Sequence, residues 1–372
     1  MEPSHAVKFD VIVSEGNEAV VHHSTAKICP ESTIPDGSTF PIQASCDEFI
    51  ASGLCEGGPY VYAWAIGGEP LYLPAHAGIP IGEQSAFRYV KLEVHYDNPE
   101  QRADIFDSSG IRISYTSQLR SYDAGMFFVG WHRGFGALGA LIPPGLDRAS
   151  TSGFASADCT ESLLPETGIN VIATLLHAHN IGAALNFRQI RDGQELPPID
   201  SNWNYDFDYQ QTVVLKEEAQ ILPGDELILD CYYNSSARST WTYGGPATTE
   251  EMCWVFVTYY PALQWYGAGS WKTQAALSAW MSDAQQAGFL SGNATDIQTG
   301  FDDGSLRWDD LVYSSDKDGA QEFFNRLYDA NYSAYNAANE VCSTGDMSDN
   351  VSFIAPAMEP VPNVDFEPFD LD

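Results

Sequence analysis

The chain reads as all-β: two antiparallel, jelly-roll-like β-sandwich domains followed by a mixed, partly helical C-terminal extension. Three observations predict this. Through the first 260 residues, short segments of alternating apolar and polar character recur between Gly, Pro, Asp and Asn turn signals. No long segment there follows the helical period of about 3.6 residues. With 44% apolar and 13% aromatic residues, 372 residues hold enough material for sizeable cores.

Taken in order, the alternating segments are residues 7–13, 18–23, 60–66 and 89–96, then 110–115, 126–131, 169–176, 226–233 and 252–260. Between 96 and 110 lies a polar stretch, DNPEQRADIFDSS, which sets a domain boundary near residue 103. Beyond Pro261 the pattern changes. Residues 271–288 and 319–339, rich in Ala and Gln with spaced aromatics, predict helices, and 349–372 reads as a loosely tethered acidic tail. The expected units are therefore 1–103, 104–268 and 269–372, with no internal repeat at a fixed period.

Charge excludes several functions. Lys and Arg number 17 against 51 Asp and Glu, a formal net charge of −34. Such a chain repels phosphate, which argues against nucleic-acid partners and anionic membrane surfaces. No run approaches the roughly 18 consecutive apolar residues of a membrane-spanning helix. Seven cysteines, at 29, 46, 55, 159, 231, 253 and 342, include no C-x-x-C pair and read as a disulfide framework with one left over. Four N-x-S/T sequons, at Asn234, Asn293, Asn331 and Asn350, point the same way. The expected compartment is extracellular or the secretory lumen. The opening Met-Glu-Pro-Ser-His has no signal-peptide character. The expectation is a chain that starts inside a longer precursor, with a signal peptide and one cysteine partner upstream.

Candidate chemistry rests on histidine. Five of eight occur in three contexts: His22-His23, His95 in KLEVHYDNP, and His177-Ala178-His179. On a strand, residues i and i+2 share a face, so His177 and His179 can converge on one ion directly. Adjacent His22 and His23 face oppositely and need a strand end or a bulge to do so. Around His95, alternation sends Lys91, Glu93 and His95 to a polar face and Val90, Leu92 and Val94 to the core. That imidazole should reach an outer face or an interdomain cleft. His5, His76 and His132 are read as satisfied polar groups. Met252 shares a strand face with Trp254 and Phe256.

Seven ordered stretches then carry a resemblance: NEAVVHHSTAKIC, YAWAIGGEPLYLPAHAGIPIG, YVKLEVHYDNP, GIRISYTSQLRSYDAG, INVIATLLHAHNIG, LKEEAQILPGDELILDCYYN and YGGPATTEEMCWVFVTYYPA. They resemble the copper type II, ascorbate-dependent monooxygenases, above all the dopamine β-monooxygenase-like branch called monooxygenase X. The resemblance covers roughly residues 5 to 265 and continues more weakly to about 345. It implies two copper ions, one held by His22, His23 and His95 and the other by His177, His179 and Met252. It further implies dioxygen, ascorbate as electron donor and a small-molecule substrate hydroxylated at an activated C–H, with catalysis at the methionine-bearing set. Imidazole suits copper in both oxidation states, and a thioether favours Cu(I).

By the same resemblance Cys29 pairs with Cys55, Cys231 with Cys253 and Cys159 with Cys342. Cys46 is left unpaired, its partner expected in first-domain strands upstream of this chain. Peptide-amidating members hold a carboxylate with an arginine two residues before the HxH and a tyrosine four after the methionine; Leu175 and Phe256 stand there here. An aromatic, neutral or cationic amine lying against Leu175, Trp254 and Phe256 is therefore expected. Two alternatives stay open beside peptidylglycine-type hydroxylation: a secreted copper binder without turnover, and an adhesion sandwich with incidental histidines.

Overall fold

A computed structural model describes residues 2–272 apart from 30, 56–57, 83–88, 99, 132–140, 246 and 266; beyond them it describes 282–283, 285–288, 319, 338–343 and 352–354. The architecture is all-β, as expected. The first sandwich comprises β1 (Ser4–Ile12), β2 (Val21–Cys29), α1 (Cys46–Ala51), β3 (Tyr60–Ala65), β4 (Leu71–Tyr72), β5 (Ala77–Ile81), β6 (Tyr89–Tyr96), β7 (Gly110–Thr116) and β8 (Tyr122–Asp123). In one sheet β1 pairs with β4, β5 and β7, and β8 joins β5; the other is β3-β2-β6. Phe9, Leu71 and Ile79 of the first meet Ala26, Ile28 and Tyr62 of the second, with Phe9 and Tyr62 stacked at 5.2 Å. Cys29 and Cys55 are bridged, as expected.

Two expectations here need correcting. β2 begins at the histidine pair and does not end there, because Ser24, Ala26 and Ile28 continue to alternate inward through STAKIC. On β6 the alternation is present but covered the other way. Val90 and Leu92 are 45% and 42% exposed, whereas the side chains of Glu93 and His95 are 15% and 27% exposed. β6 is the edge of its sheet among the described residues, so its apolar face overhangs, while its polar face is roofed by the second sandwich.

The second sandwich comprises β9 (Gly125–Trp131), β10 (Leu141–Ile142), β11 (Ala149–Ala155), α2 (Ala157–Leu163), β12 (Ile169–His177), β13 (Gly182–Arg191), β14 (Gln194–Glu195), β15 (Asp200–Asn202), β16 (Thr212–Ile221), β17 (Glu226–Tyr233), β18 (Thr242–Tyr243), β19 (Trp254–Tyr260), β20 (Gly267–Lys272), β21 (Ala338–Ser343) and β22 (Ser352–Ile354). One sheet runs β16-β12-β19-β9-β20-β21-β22, and the other β11-β17-β13-β14 with β15 alongside β13. Between them pack Phe127, Val129, Phe187, Leu229, Val255 and Trp265, with Phe127 and Trp265 stacked at 3.9 Å. Ser156 caps α2 by accepting from the Cys159 N–H. The Cys231–Cys253 bridge joins the two sheets. Cys159 is disulfide-bonded too; the side chains of Cys46 and Cys342 lie outside the described residues.

The extension departs from the helical expectation. Trp271 lies in β20, which pairs parallel to β9, while β21 and β22 occupy the end of one predicted helix and part of the predicted tail. Cross-strand pairing at a sheet edge outweighs local helix propensity. Residues 282–283 and 285–286 are helical; the rest of 273–337 lies almost wholly outside the described residues, as do Asn293, Asn331 and Asn350. Asn234 is exposed.

A bulge sets the phase of β12. Its pairing to both neighbours shifts between Val171 and Ala173. Before the shift Ile169 and Val171 face the sandwich core; after it Leu176 and Ala178 do, which turns Leu175 and His177 outward toward the first sandwich. The outer face is apolar: Ile172, Ala173 and Tyr260 join the first sandwich's core cluster, and Leu175, Trp254 and Phe256 pack with Ala63.

Candidate metal centre

The three histidine contexts meet in one cleft between the sandwiches. It is lined by His23, His95, His177, His179 and Met252, with Tyr60, Leu175, Trp254 and Phe256 among its walls. In β2 the pairing to β6 shifts between Val21 and His23, leaving His22 as the bulged residue, and His23 faces His95 across the ladder. Adjacent imidazoles can therefore meet: His22 Nδ1 lies 3.1 Å from His23 Nδ1, and the His23 and His95 ring centroids are 4.0 Å apart. From the other side come His177 and His179, ring centroids 5.2 Å apart, with His177 5.8 Å from His23.

Second partners fix the tautomers. Glu93 Oε1 accepts from His95 Nε2 at 2.7 Å, which leaves Nδ1 with the lone pair. Gln210 Oε1 accepts from His177 Nδ1 at 2.8 Å, and the Glu250 carbonyl faces His179 Nδ1 at 3.1 Å, so both present Nε2. The backbone between them is pinned: the Tyr205 hydroxyl donates to the Ala178 carbonyl and accepts from the Ala178 N–H. Glu251 is fully buried, and its carboxylate accepts from the N–H groups of His179, Ile181 and Met252. Burial pushes its acid up to about 8, against those three donors. Tyr233 donates to the Met252 carbonyl, and Cys253 beside it is crosslinked, so Met252 is held on every side.

Electrostatics favours neutral ligands. Burial, reinforced by neighbouring imidazoles, pushes His177 down to about 3 and His179 to about 4, and holds His23 well below its usual range. Burial also lowers His22. The hydrogen bond from His95 holds Glu93 far below the usual carboxylate range. Of the remaining histidines, His5 is a satisfied polar group that bonds Asp123 and the Arg120 N–H, whereas the buried His76 Nε2 lies 3.1 Å from Glu218 without a hydrogen bond. His132 lies outside the described residues.

Comparison with known proteins gives the arrangement a family. The model for copper type II ascorbate-dependent monooxygenase, N-terminal domain, matches residues 1–103, and that for the C-terminal domain matches 122–276. The chain belongs to the copper type II ascorbate-dependent monooxygenases. It is 37% identical over 270 residues to DBH-like monooxygenase protein 1 of Homo sapiens, covering 70% of this chain and 43% of that protein. Similarity to MOXD1 homolog 1 of Drosophila melanogaster is 35% over 311 residues, covering 80% and 43%. To dopamine beta-hydroxylase of Canis lupus familiaris it is 34% over 261 residues, covering 70% and 41%. The chain thus spans about four-tenths of the length of these relatives.

Copper fits the donors of this cleft. Two nitrogens bound to one ion at about 2 Å each stand about 3 Å apart, which is the spacing His22 Nδ1 and His23 Nδ1 already have. Among the described residues no three His, Cys, Asp or Glu side chains are set to hold one ion as they stand, so completing the first set requires ring movement. The second set, two Nε2 lone pairs and a thioether, matches the soft preference of Cu(I). Gln210, Tyr205 and Glu251 escape sequence reasoning. Glu251 leaves one trace, an acid three residues before a wholly buried strand; Gln210 and Tyr205 sit in a polar loop with no periodicity.

Proposed function

We propose that this chain is a copper- and ascorbate-dependent monooxygenase hydroxylating an activated C–H of a small, neutral or cationic aromatic amine of phenethylamine type. The observation that supports it most is the meeting of His23, His95, His177, His179 and Met252 in one cleft with an aromatic wall. His22, His23 and His95 would hold one copper, and His177, His179 and Met252 the other. When bound, copper supplies the one-electron chemistry with dioxygen, and ascorbate supplies the electrons.

The protein's own contribution is orientation and exclusion of water. Gln210, Glu250 and Glu251 fix the second set's donors. Tyr60 and Phe256, 5.3 Å apart and edge to face, with Leu175 and Trp254, offer an apolar surface for an aromatic ring. Neither Leu175 nor Phe256 can bind a peptide carboxylate, and the net charge of −34 favours a cation over an anion. We place the active chain in the secretory lumen or outside the cell, supported by its disulfides and the exposed Asn234 sequon. Among the described residues no helix is long and apolar enough to cross a membrane. We take 1–103 and 104–268 as its two copper domains, with β7 and β8 of the second stretch completing the first sandwich, and 269–372 as an extension tied to the second by β21 and β22.

The test is product mass spectrometry with ¹⁸O-labelled dioxygen over arylalkylamines and glycine-extended peptides. One labelled oxygen in an arylalkylamine product is expected. Faster turnover of the peptide would overturn the substrate, and two bound coppers without ascorbate-coupled oxygen uptake would leave only a copper binder.

A further inference from the structure

Residues 203–211, between β15 and β16, belong to the second sandwich yet touch both histidine sets. Its tip is a tight turn in which the Tyr209 N–H bonds the Asp206 carbonyl. Phe207 stacks on His22 of the first sandwich at 4.1 Å and 19°. Asp208 lies 3.9 Å from His22 Nε2, a buried nitrogen with no hydrogen-bond partner. Tyr209 covers Gly67, where a Cβ would lie 2.3 Å from its ring and where φ is +83°. The last contact continues into the second set. The Gln210 N–H donates to the Ile66 carbonyl across the interface at 3.0 Å, while its side-chain Nε2 donates to Phe207 O and its Oε1 accepts from His177. Ile66 in turn donates its own N–H to the His22 carbonyl at 2.9 Å. An unbroken hydrogen-bonded path thus runs from His22 through Ile66 and Gln210 to His177.

We propose that residues 203–211 form an interdomain strap and that Gln210 is a positioning residue: docking on Ile66 and Gly67 of the first sandwich sets the tautomer and aim of His177 in the second. Because Gln210 Nε2 is committed to Phe207 O, its oxygen is the only end offered to His177, so the Nδ1–H tautomer follows from the docked strap. The strap links the two histidine sets without itself supplying a ligand. A change at Gly67, in the other sandwich, therefore reaches His177.

The inference leans on the copper reading only for its metal readout, so its test has two arms. In metal-free full-length chain, hydrogen exchange of the Gln210 amide should be slow, and about tenfold faster or more in Gly67→Ala, where both the clash with Tyr209 and the φ of +83° work against docking. In copper-loaded chain, X-ray absorption of the Cu(I) state should show the sulfur contribution of Met252 weakened in Gln210→Leu and retained in Gln210→Glu, which keeps the acceptor. Unchanged Gln210 exchange in Gly67→Ala, or a Gln210→Leu spectrum identical to wild type, would overturn the strap. No copper in the wild type would overturn the proposed function, leaving the exchange arm to decide the strap alone.

Discussion

At the residue scale, the site depends on a few side chains whose neighbours are fixed. Met252→Ile conserves volume, so thermal unfolding should move by only a few degrees while ascorbate-dependent oxygen uptake is abolished; retention of uptake would remove Met252 from the site. Glu251→Ala leaves the His179, Ile181 and Met252 N–H groups buried without their acceptor, a loss of at least about 2 kcal/mol in denaturant unfolding. A smaller loss would mean that water enters and takes the carboxylate's place. The candidate ligands His177 and His179 were legible from their i and i+2 spacing, and the rest of the set only from the family resemblance. Their supports were not: Gln210 meets His177 across 33 residues, and a glutamine in a polar loop carries no local mark of that partner.

At the scale of elements, two bulges decide which side chains enter the cleft. The one at His22 is one of the two arrangements that adjacent histidines need, a strand end being the other, and it was foreseeable only to that extent. The one in β12 was not, since Ile172 reads as ordinary strand. Deleting Ile172 should remove the bulge and leave the later residues in place, because Val171 and Ala173 already oppose the consecutive Tyr259 and Thr258, whereas inserting one residue after Ala173 should turn every later residue to the other face, Leu176 into the cleft and His177 into the core. The insertion chain should lose copper from the second set by metal analysis, whereas the deletion chain should retain it. β6 shows the complementary limit. Alternation separates Val90 and Leu92 from Glu93 and His95, but which face is covered depends on a sandwich that begins beyond the strand itself. β16 went unread for a related reason: an exposed edge strand bearing Lys216, Glu217 and Glu218 has little apolar pattern to show.

At the scale of the whole molecule, charge acts on substrate encounter. The apparent KM for a cationic arylalkylamine should rise severalfold from low salt to about 0.5 M as the field of a −34 chain is screened, with kcat nearly constant; a KM that falls would contradict a cationic substrate. The sequence divides into two patterned halves near residue 103, but β7 and β8 lie beyond that point and pair with β1 and β5 of the first sandwich. The packing crosses it too. Phe9, Tyr62 and Ile79 of the first sandwich share one buried cluster with Ile172, Ala173 and Tyr260 of the second. Two sequence units with a shared core form one unit of melting: calorimetry of the intact chain should give a single transition whose calorimetric and van't Hoff enthalpies agree, and two resolved peaks would refute it. Residues 1–103 expressed alone should then fail to melt cooperatively, because their core is closed by side chains that they do not encode.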